Sequence, residues 1–347
     1  MDGFQVAVIG AGGWGTALAN LLADNGHRVT LWARRREFAQ QLILARENIT
    51  YLPGVALAQR VRPTAELDEA IKTARLIVLA TPAQALRSVL RRLVSFLPAE
   101  PVPIVNTSKG LEENTLARMS QVLTQELPPA WHRQLLFLSG PNFAAEVGQG
   151  LPTATVLACA DQRVADWVRD FFMCERFRVY TNPDIVGVEL GGAIKNVIAM
   201  AVGIADGLAL GHNTRAALIT RGLAEMTRLG VALGANSHTF AGLAGLGDLV
   251  LTCTSNLSRN YRAGVALGEG RQLDEILGET QMVVEGVFTT AAARALAERQ
   301  RVRMPITEEL HRVLFEGKPP RAGVKCLMRR HRTGEVDDLS TLAGLSG

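Results

Sequence analysis

A glycine-rich turn near the start of the chain constrains its fold more than any other feature. The segment GAGGWG at residues 10–15 follows an apolar run at residues 6–9 and opens a helical pattern over residues 16–23. In such a strand-turn-helix unit the first glycine, Gly10, allows the tight turn. Gly12 lets the backbone approach a pyrophosphate, and Gly15 lets the helix pack closely on the strand. The start of the helix adds N–H groups and a partial positive charge. The segment therefore predicts a dinucleotide-binding turn.

The second predicted strand, which ends at Trp32, indicates which dinucleotide is bound. A site selective for NAD usually ends this strand with Asp or Glu, which binds the ribose 2′-hydroxyl. Here the chain continues Ala33-Arg34-Arg35-Arg36, and the first carboxylate is Glu37. Because arginines favour a 2′-phosphate, we expect NADP(H) to bind well, with NAD(H) as a further or alternative cofactor. The alternative interpretation is a solvated basic turn.

Short apolar strands and helical patterns alternate through the first half of the chain. This alternation predicts an α/β Rossmann domain, in which a doubly wound, mostly parallel sheet is covered on both faces. The predicted strands are residues 4–9, 29–32, 76–80, 102–106, 135–138, 154–158 and 178–180, and two of the helices are residues 65–73 and 116–125.

The second half of the chain differs in composition, because Ala, Leu, Gly and Met recur at helical spacing and β-branched runs are few. This pattern predicts an all-α domain. We expect a nucleotide-binding domain over residues 1–188, a helical substrate-binding and catalytic domain over residues 189–335, and a flexible tail over residues 336–347.

Composition narrows the class of protein. The basic residues are mostly scattered and the net charge is only +4, which does not favour a nucleic-acid partner. The four cysteines lie far apart without a C-x-x-C pair, so we expect neither disulfides nor a metal site. Reduced cysteines in turn predict a cytoplasmic protein. Because the first predicted strand begins almost at once, we expect no signal peptide, and because no apolar stretch is uninterrupted over the length of a bilayer, we expect no membrane span.

Four polar islands interrupt the apolar sequence, at residues 106–110, 139–144, 191–196 and 245–260. Lys109 follows a predicted strand, at the sheet edge where ligands bind in α/β folds. Lys195 follows two glycines in an apolar helix, which favours a lysine held in a cleft over one that snorkels to the surface. Ser258 is a candidate cap for a helix that begins at Arg259 and faces an anion. The alternatives are a surface loop for Lys109 and a solvent-facing side chain for Arg259.

These islands carry a family resemblance. The segments IGAGGWGTALA, NTSKGLE, SGPNFAAEV, GVELGGAIKNVIA, NTRAALITRGLAEM, GLAGLGDLVLTCTSNLSRN, VVEGVFTT and MPITEEL resemble bacterial NAD(P)-dependent glycerol-3-phosphate dehydrogenases. The resemblance extends through about residue 330. It implies hydride transfer between dihydroxyacetone phosphate and sn-glycerol 3-phosphate, a role in phospholipid synthesis, and a homodimer.

The resemblance also implies roles for individual residues. Lys195 is the implied catalytic lysine, acting on the substrate oxygen at C2, and Asp248 and Lys109 are further implied catalytic residues that contact the substrate. Gly13 and Asn142 stand where relatives often have Ser and Thr, and we expect both to act largely through backbone. The implied substrate-binding residues are Lys109, Gly140, Asn142, Lys195, Asp248, Ser258, Arg259 and Asn260. The implied cofactor-binding residues, beyond the three glycines above, are Gly13, Trp14, Arg34, Lys109, Ala144, Arg259, Val283 and Glu285.

The chemistry of ketone reduction agrees with these roles. The reaction needs a hydride donor and a proton donor at the oxygen. A lysine that also works in reverse needs a pKa lowered by burial or nearby cations. Asp248, if close and ionised, would oppose that shift, so we expect its role to be mainly one of orientation. The alternatives are an enzyme like ketopantoate reductase, which would not need the island around Arg259, and a dinucleotide-binding regulator, which would not need Lys195 and Asp248.

Overall fold

The computed structural model describes residues 3–279 and 283–330. The chain divides into two compact units: unit 1 comprises Met1–Ser108 and Met119–Ile185, and unit 2 comprises Lys109–Arg118 and the chain from Val186 onward. The main change of unit comes three residues before the expected end of the first domain at residue 188. The expected tail, residues 336–347, lies outside the described residues.

Unit 1 is an α/β fold. Its described strands are β1 (Gln5–Ile9), β2 (Arg28–Trp32), β3 (Glu47–Asn48), β4 (Leu52–Ala56), β5 (Val61–Thr64), β6 (Leu76–Leu79), β7 (Ile104–Asn106), β8 (Leu135–Ser139), β9 (Thr153–Ala158) and β10 (Phe177–Asn182). Its described helices are α1 (Gly13–Asp24), α2 (Arg36–Ala45), α3 (Leu67–Ile71), α4 (Leu86–Leu93), α5 (Met119–Glu126), α6 (Ala144–Gly148) and α7 (Gln162–Phe172).

The main sheet has the strand order β10-β9-β8-β7-β6-β1-β2-β5. Neighbouring strands pair in parallel, except that β8 and β9 are antiparallel. Successive residues of β1, from Val6 to Ile9, are all fully buried, as expected for a strand covered on both faces. The chain turns from β1 to β2 on one side and returns to β6 on the other, so the strand order reverses at β1. Ligands bind at such a reversal, beyond the carboxyl ends of the strands.

The described part of unit 2 is helical. It contains α8 (Ile185–Gly207, whose first residue is in unit 1), α9 (Gly211–Ala232), α10 (Ser237–Ala241), α11 (Asp248–Thr254), α12 (Arg259–Gly268), α13 (Leu273–Gly278), α14 (Glu285–Gln300), α15 (Pro305–Phe315) and α16 (Pro320–Met328). A π-helical turn, Leu243–Gly247, directly precedes α11. Both units therefore have the predicted fold class.

Helix α8 is the long apolar element of unit 2. By length and composition it could cross a membrane, although sequence analysis found no stretch long enough. However, 78% of its most apolar window is buried inside the protein, as in the core helix of a soluble protein. It is the only helix in residues 3–279 and 283–330 that passes this test, and alone it is weak support for a membrane span.

The segment Lys109–Arg118 belongs to unit 2, although the predicted division placed it in the first domain. Leu111 is buried in the same apolar cluster as Leu190 and Ile194 of α8. Arg118 also forms an ion pair with Glu189, with 2.6 Å between Nη1 and Oε2. Apolar burial and this ion pair attach the segment to the helical unit, and they carry Lys109 with it.

Candidate active site

Two lysines share one buried carboxylate in unit 2. Lys109 Nζ lies 2.9 Å from Asp248 Oδ2, and Lys195 Nζ donates a hydrogen bond to Asp248 Oδ1. The side chains of Lys195 and Asp248 are 8% and 1% exposed, whereas that of Lys109 is 18% exposed. The structure thus brings together the three residues expected to be catalytic, with each carboxylate oxygen bound by one ammonium group.

Thr252 is a fourth member of this cluster that sequence analysis did not single out. Its Oγ1 accepts a hydrogen bond from Lys195 Nζ at 3.0 Å and donates one to the backbone oxygen of Asp248 at 2.6 Å. Thr252 lies one helical turn after Asp248 on α11, so both side chains face the same side. This four-residue spacing was the available signal in the sequence.

Close backbone packing brings the elements that carry the cluster together. A Cβ atom on Gly191 would lie 2.3 Å from the backbone oxygen of Ala244, in the π-helical turn before α11. Only glycine permits this approach, which places α8 against the start of α11. The glycine one helical turn before Lys195 thus allows the two backbones to approach closely.

Burial lowers the pKa of Lys195 to about 8, from an ordinary value of 10.5. The second largest influence, the charge of Asp248, raises this pKa, and the nearby charge of Lys109 lowers it. The expected directions are confirmed: desolvation and a neighbouring cation favour the neutral amine, and the carboxylate opposes them. Lys195 can therefore exchange a proton at near-neutral pH.

The island around Arg259 forms a second polar group in unit 2. Helix α12 begins at Arg259, and the Ser258 Oγ caps it by accepting from the Tyr261 backbone N–H at 3.2 Å, as predicted. Arg259 Nη1 donates to the backbone oxygen of Val283 at 2.8 Å. Burial lowers the pKa of Arg259 and the charge of Glu285 raises it. Arg259, Val283 and Glu285, which the resemblance assigned to the cofactor, thus lie side by side.

The side chain of Asn260 joins three helices. Its Nδ2 donates to Asn196 Oδ1 at 2.8 Å on α8, and its Oδ1 accepts from the Gly286 backbone N–H at 2.9 Å at the start of α14. Asn260 is 9% exposed. These bonds give its amide a structural role, and its expected substrate contact remains a prediction.

The glycine-rich turn of unit 1 has the geometry of a phosphate cradle. Gly10 has φ of +120°, which favours glycine, and a Cβ on Gly15 would lie 1.9 Å from the Gly10 oxygen. A Cβ on Gly12 would meet nothing within 4 Å, and no side chain caps the start of α1 there. The indole Nε1 of Trp14 is buried without a hydrogen-bond partner among the described residues. Open space, helix N–H groups and this spare donor fit a dinucleotide phosphate.

The three arginines after β2 differ in their contacts. Arg36 Nη2 lies 3.0 Å from Glu66 Oε1, and the Arg35 guanidinium lies 5.5 Å from the centroid of the Phe38 ring. Arg34 is exposed and makes no side-chain contact of this kind with the described residues. The expected contact of Arg34 with the cofactor remains a prediction.

The loop between β8 and α6 holds Gly140 and Asn142, and α6 begins at Ala144. Gly140 has φ of +146°, and its Cβ would lie 3.0 Å from Thr155 atoms on β9. Asn142 Nδ2 donates to Thr155 Oγ1 at 3.1 Å. The Cβ of Ala144 lies 3.7 Å from the position of a Cβ on Gly13. Ala144 thus lies beside the glycine-rich turn.

No group of three or more His, Cys, Asp or Glu residues in the described ranges could hold a metal ion. The candidate groups described above are the lysine–carboxylate cluster, the arginine island and the glycine-rich turn.

Comparison with known proteins identifies related sequences. The profile of the NAD-dependent glycerol-3-phosphate dehydrogenase N-terminus matches residues 5–165, and that of the corresponding C-terminus matches residues 184–325. The glycerol-3-phosphate dehydrogenase (NAD(P)+) of Moorella thermoacetica is 58% identical, over 96% of this chain and 98% of that protein. The enzyme of the same name from Pelotomaculum thermopropionicum is 52% identical, over 99% and 98% of the two chains.

Solved structures show the same likeness. The crystal structure of glycerol-3-phosphate dehydrogenase from Coxiella burnetii has a TM-score of 0.90 and 38% identity, covering 95% of this chain and all of that one. A ketopantoate reductase from Ralstonia eutropha has a TM-score of only 0.57 and 16% identity, covering 92% of this chain and 100% of that one. The second likeness extends to the fold alone.

Proposed function

The chain belongs to the NAD-dependent glycerol-3-phosphate dehydrogenase family, and we propose that it interconverts dihydroxyacetone phosphate and sn-glycerol 3-phosphate with Lys195 as acid and base. It is an oxidoreductase that uses NAD(P). The observation that carries the assignment of Lys195 is its burial between Asp248 and Thr252, with a pKa of about 8.

The residues of the glycine-rich turn would hold the cofactor, which supplies or accepts the hydride when bound. Gly10, Gly12, Gly13 and Gly15 shape a turn whose helix N–H groups bind the diphosphate. Arg34 provides a guanidinium for a 2′-phosphate. The remaining expected contacts, such as Trp14 and Ala144, lie in or beside the same turn.

The lysine–carboxylate cluster would perform the proton transfer. In reduction, the Lys195 ammonium stabilises the developing alkoxide at C2 and then gives it a proton. In oxidation, the neutral amine takes the hydroxyl proton. Asp248 and Thr252 fix the position of Nζ through hydrogen bonds, and Lys109 adds a second positive charge beside the carboxylate. Two ammonium groups around one carboxylate leave a net positive charge, which suits an anionic substrate.

The island at the start of α12 would bind the substrate phosphate. Arg259 is half-buried, and its hydrogen bond to the Val283 backbone oxygen holds the guanidinium in place. The capped start of a ten-residue helix adds N–H groups to this charge. A ketopantoate substrate has no phosphate for this island to bind. This difference, together with the high identity to glycerol-3-phosphate dehydrogenases, favours the phosphorylated substrate.

The setting of the enzyme follows from the same assignment. We place it in the cytoplasm as a homodimer, where it would supply glycerol phosphate for phospholipid synthesis. Size measurement by light scattering tests the dimer, since a monomer at assay concentration would contradict it.

The decisive experiment follows NADPH oxidation by the purified protein with dihydroxyacetone phosphate and, separately, with ketopantoate. We expect turnover with the first compound and none above background with the second. Turnover only with ketopantoate would replace the assigned substrate. NADPH binding without turnover on either compound would instead support a regulator.

A further inference from the structure

Asn48 connects a short hairpin to the glycine-rich turn of unit 1. The hairpin, formed by β3 and β4, is separate from the main sheet. Asn48 lies on β3 and is fully buried. Its Nδ2 donates to the Ala11 backbone oxygen at 3.0 Å and to Thr16 Oγ1 at 2.7 Å, and its Oδ1 accepts from the Tyr51 N–H at 3.0 Å. Both amide hydrogens and the amide oxygen are therefore used.

The bond to Ala11 determines where the next amide points. In a planar trans peptide the C=O and the following N–H point in opposite directions. Since the buried Asn48 amide holds the Ala11 oxygen on its own side, the Gly12 N–H is directed to the other side. The space beside Gly12 is open, because a Cβ there would meet no atom within 4 Å.

The bond to Thr16 extends this control to a second peptide. The Gly12 oxygen accepts from both the backbone N–H and the Oγ1 of Thr16, each at 2.9 Å. Because Asn48 holds the same Thr16 hydroxyl, it fixes the Gly12–Gly13 peptide indirectly. By the same planarity, this orients the Gly13 N–H.

We propose that Asn48 is a positioning residue for the cofactor diphosphate, because it fixes the directions of the Gly12 and Gly13 N–H groups. Asn48 itself does not touch the ligand. The inference rests on the proposed function only in requiring that a nicotinamide dinucleotide binds at this turn. Because the diphosphate is common to both cofactors, Asn48 serves NADH and NADPH alike.

Gly13 also affects how the hairpin contacts the glycine-rich turn. A Cβ on Gly13 would lie 2.5 Å from the Tyr51 backbone oxygen, in the loop between β3 and β4. The missing side chain therefore lets the hairpin close on the turn and lets Asn48 reach Ala11. Replacing Gly13 with alanine should separate the hairpin from the turn and disturb the same two peptides.

The test compares Asn48→Ala with Asn20→Ala, a matched control. Asn20 is also a buried asparagine, on α1, and it binds the other end of the hairpin region through the Ala56 oxygen at 2.8 Å and the Ala58 N–H at 3.0 Å. It does not bond to the glycine-rich turn. Dissociation constants for NADPH and NADH are measured by fluorescence titration, together with melting temperatures.

We expect Asn48→Ala to raise the dissociation constants of NADPH and NADH by a similar factor, about tenfold, because buried polar groups of the turn lose their hydrogen-bond partner. Asn20→Ala should lower the melting temperature comparably and change both dissociation constants less than about twofold. Gly13→Ala should weaken binding by itself, and little more when combined with Asn48→Ala.

Equal weakening by Asn48→Ala and Asn20→Ala would reduce Asn48 to a stabilising residue and overturn the proposal. Unchanged affinities in Asn48→Ala would do the same. If Asn48→Ala does not fold, Asn48→Asp decides, because the carboxylate keeps an acceptor for the Tyr51 N–H and removes both amide donors, and unchanged affinities there contradict the proposal. A wild-type protein that binds neither cofactor would contradict the proposed function instead.

Discussion

The glycine-rich turn of unit 1 and the lysine–carboxylate cluster of unit 2 are built by opposite means. The turn uses the backbone of six consecutive residues, 10–15, and its key feature is the absence of side chains. The cluster uses side chains that lie 53 and 139 residues apart in the sequence. Binding a diphosphate needs correctly directed N–H groups, whereas proton transfer needs a charged side chain with an altered pKa.

Burial explains why these sites have different chemistry. The space beside Gly12 is open, so the backbone N–H groups of the glycine-rich turn can bind a ligand that enters from solvent. The carboxylate of Asp248 and the ammonium of Lys195 are almost completely buried, and this desolvation lowers the lysine pKa. Changes in the cluster should therefore affect turnover, and changes near the turn should affect cofactor affinity.

The largest expected effect is that of Lys195→Ala, which separates the two regions. Loss of the proton donor should lower kcat by about 10²–10⁴, while the NADPH dissociation constant stays near the wild-type value. Lys195→Arg should restore little, because the guanidinium stays charged and cannot act as a base. Steady-state kinetics and fluorescence titration on the same preparations measure both quantities. Retention of more than a tenth of the activity by Lys195→Ala would remove the proton-transfer role.

A smaller effect is expected from Arg259→Ala, which tests the phosphate site. Loss of a charge-assisted contact should raise KM for dihydroxyacetone phosphate about a hundredfold. Dihydroxyacetone, which lacks the phosphate, should be affected far less. Arg262→Ala is the matched control, because Arg262 lies on the same helix and is exposed. If Arg259→Ala harms both substrates equally, the phosphate is bound elsewhere.

The smallest effect concerns the arginines after β2. Arg34→Ala should raise the NADPH dissociation constant about tenfold and leave that for NADH unchanged. Arg36→Ala should matter less, because its guanidinium already pairs with Glu66. Added salt should weaken NADPH more than NADH. A wild-type enzyme that strongly prefers NADH and does not respond to Arg34→Ala would reduce the cluster to a solvated turn.

The sequence predicted the backbone-built region well, because its signal is local. Strand β1, the glycines and helix α1 all follow from neighbouring residues. Strand β5 was missed because it has four residues and contains Pro63, which is tolerated there because β5 is at the edge of the sheet. The predicted helix 116–125 instead begins at Met119, since Leu116 has φ of +60° and cannot be α-helical.

Contacts between distant residues were harder to predict. The spacing of Asp248 and Thr252 is visible in the sequence, but their meeting with Lys195 depends on how α8 packs against the start of α11. The antiparallel pairing of β8 with β9 and the hairpin that carries Asn48 depend likewise on tertiary structure. The family resemblance implied roles for Lys195, Asp248 and Lys109. Only the structure shows that both lysines bind the Asp248 carboxylate.

The most direct test of Lys195 as acid and base is the pH profile of kcat/KM in both reaction directions. This ratio reports the pKa values of the free enzyme. Reduction needs the ammonium, so its rate should fall as pH rises through about 8, whereas oxidation needs the neutral amine and should rise over the same range. Lys195→Ala should abolish both limbs. Profiles that change in the same sense, or that stay flat through this range in both directions, would contradict the account.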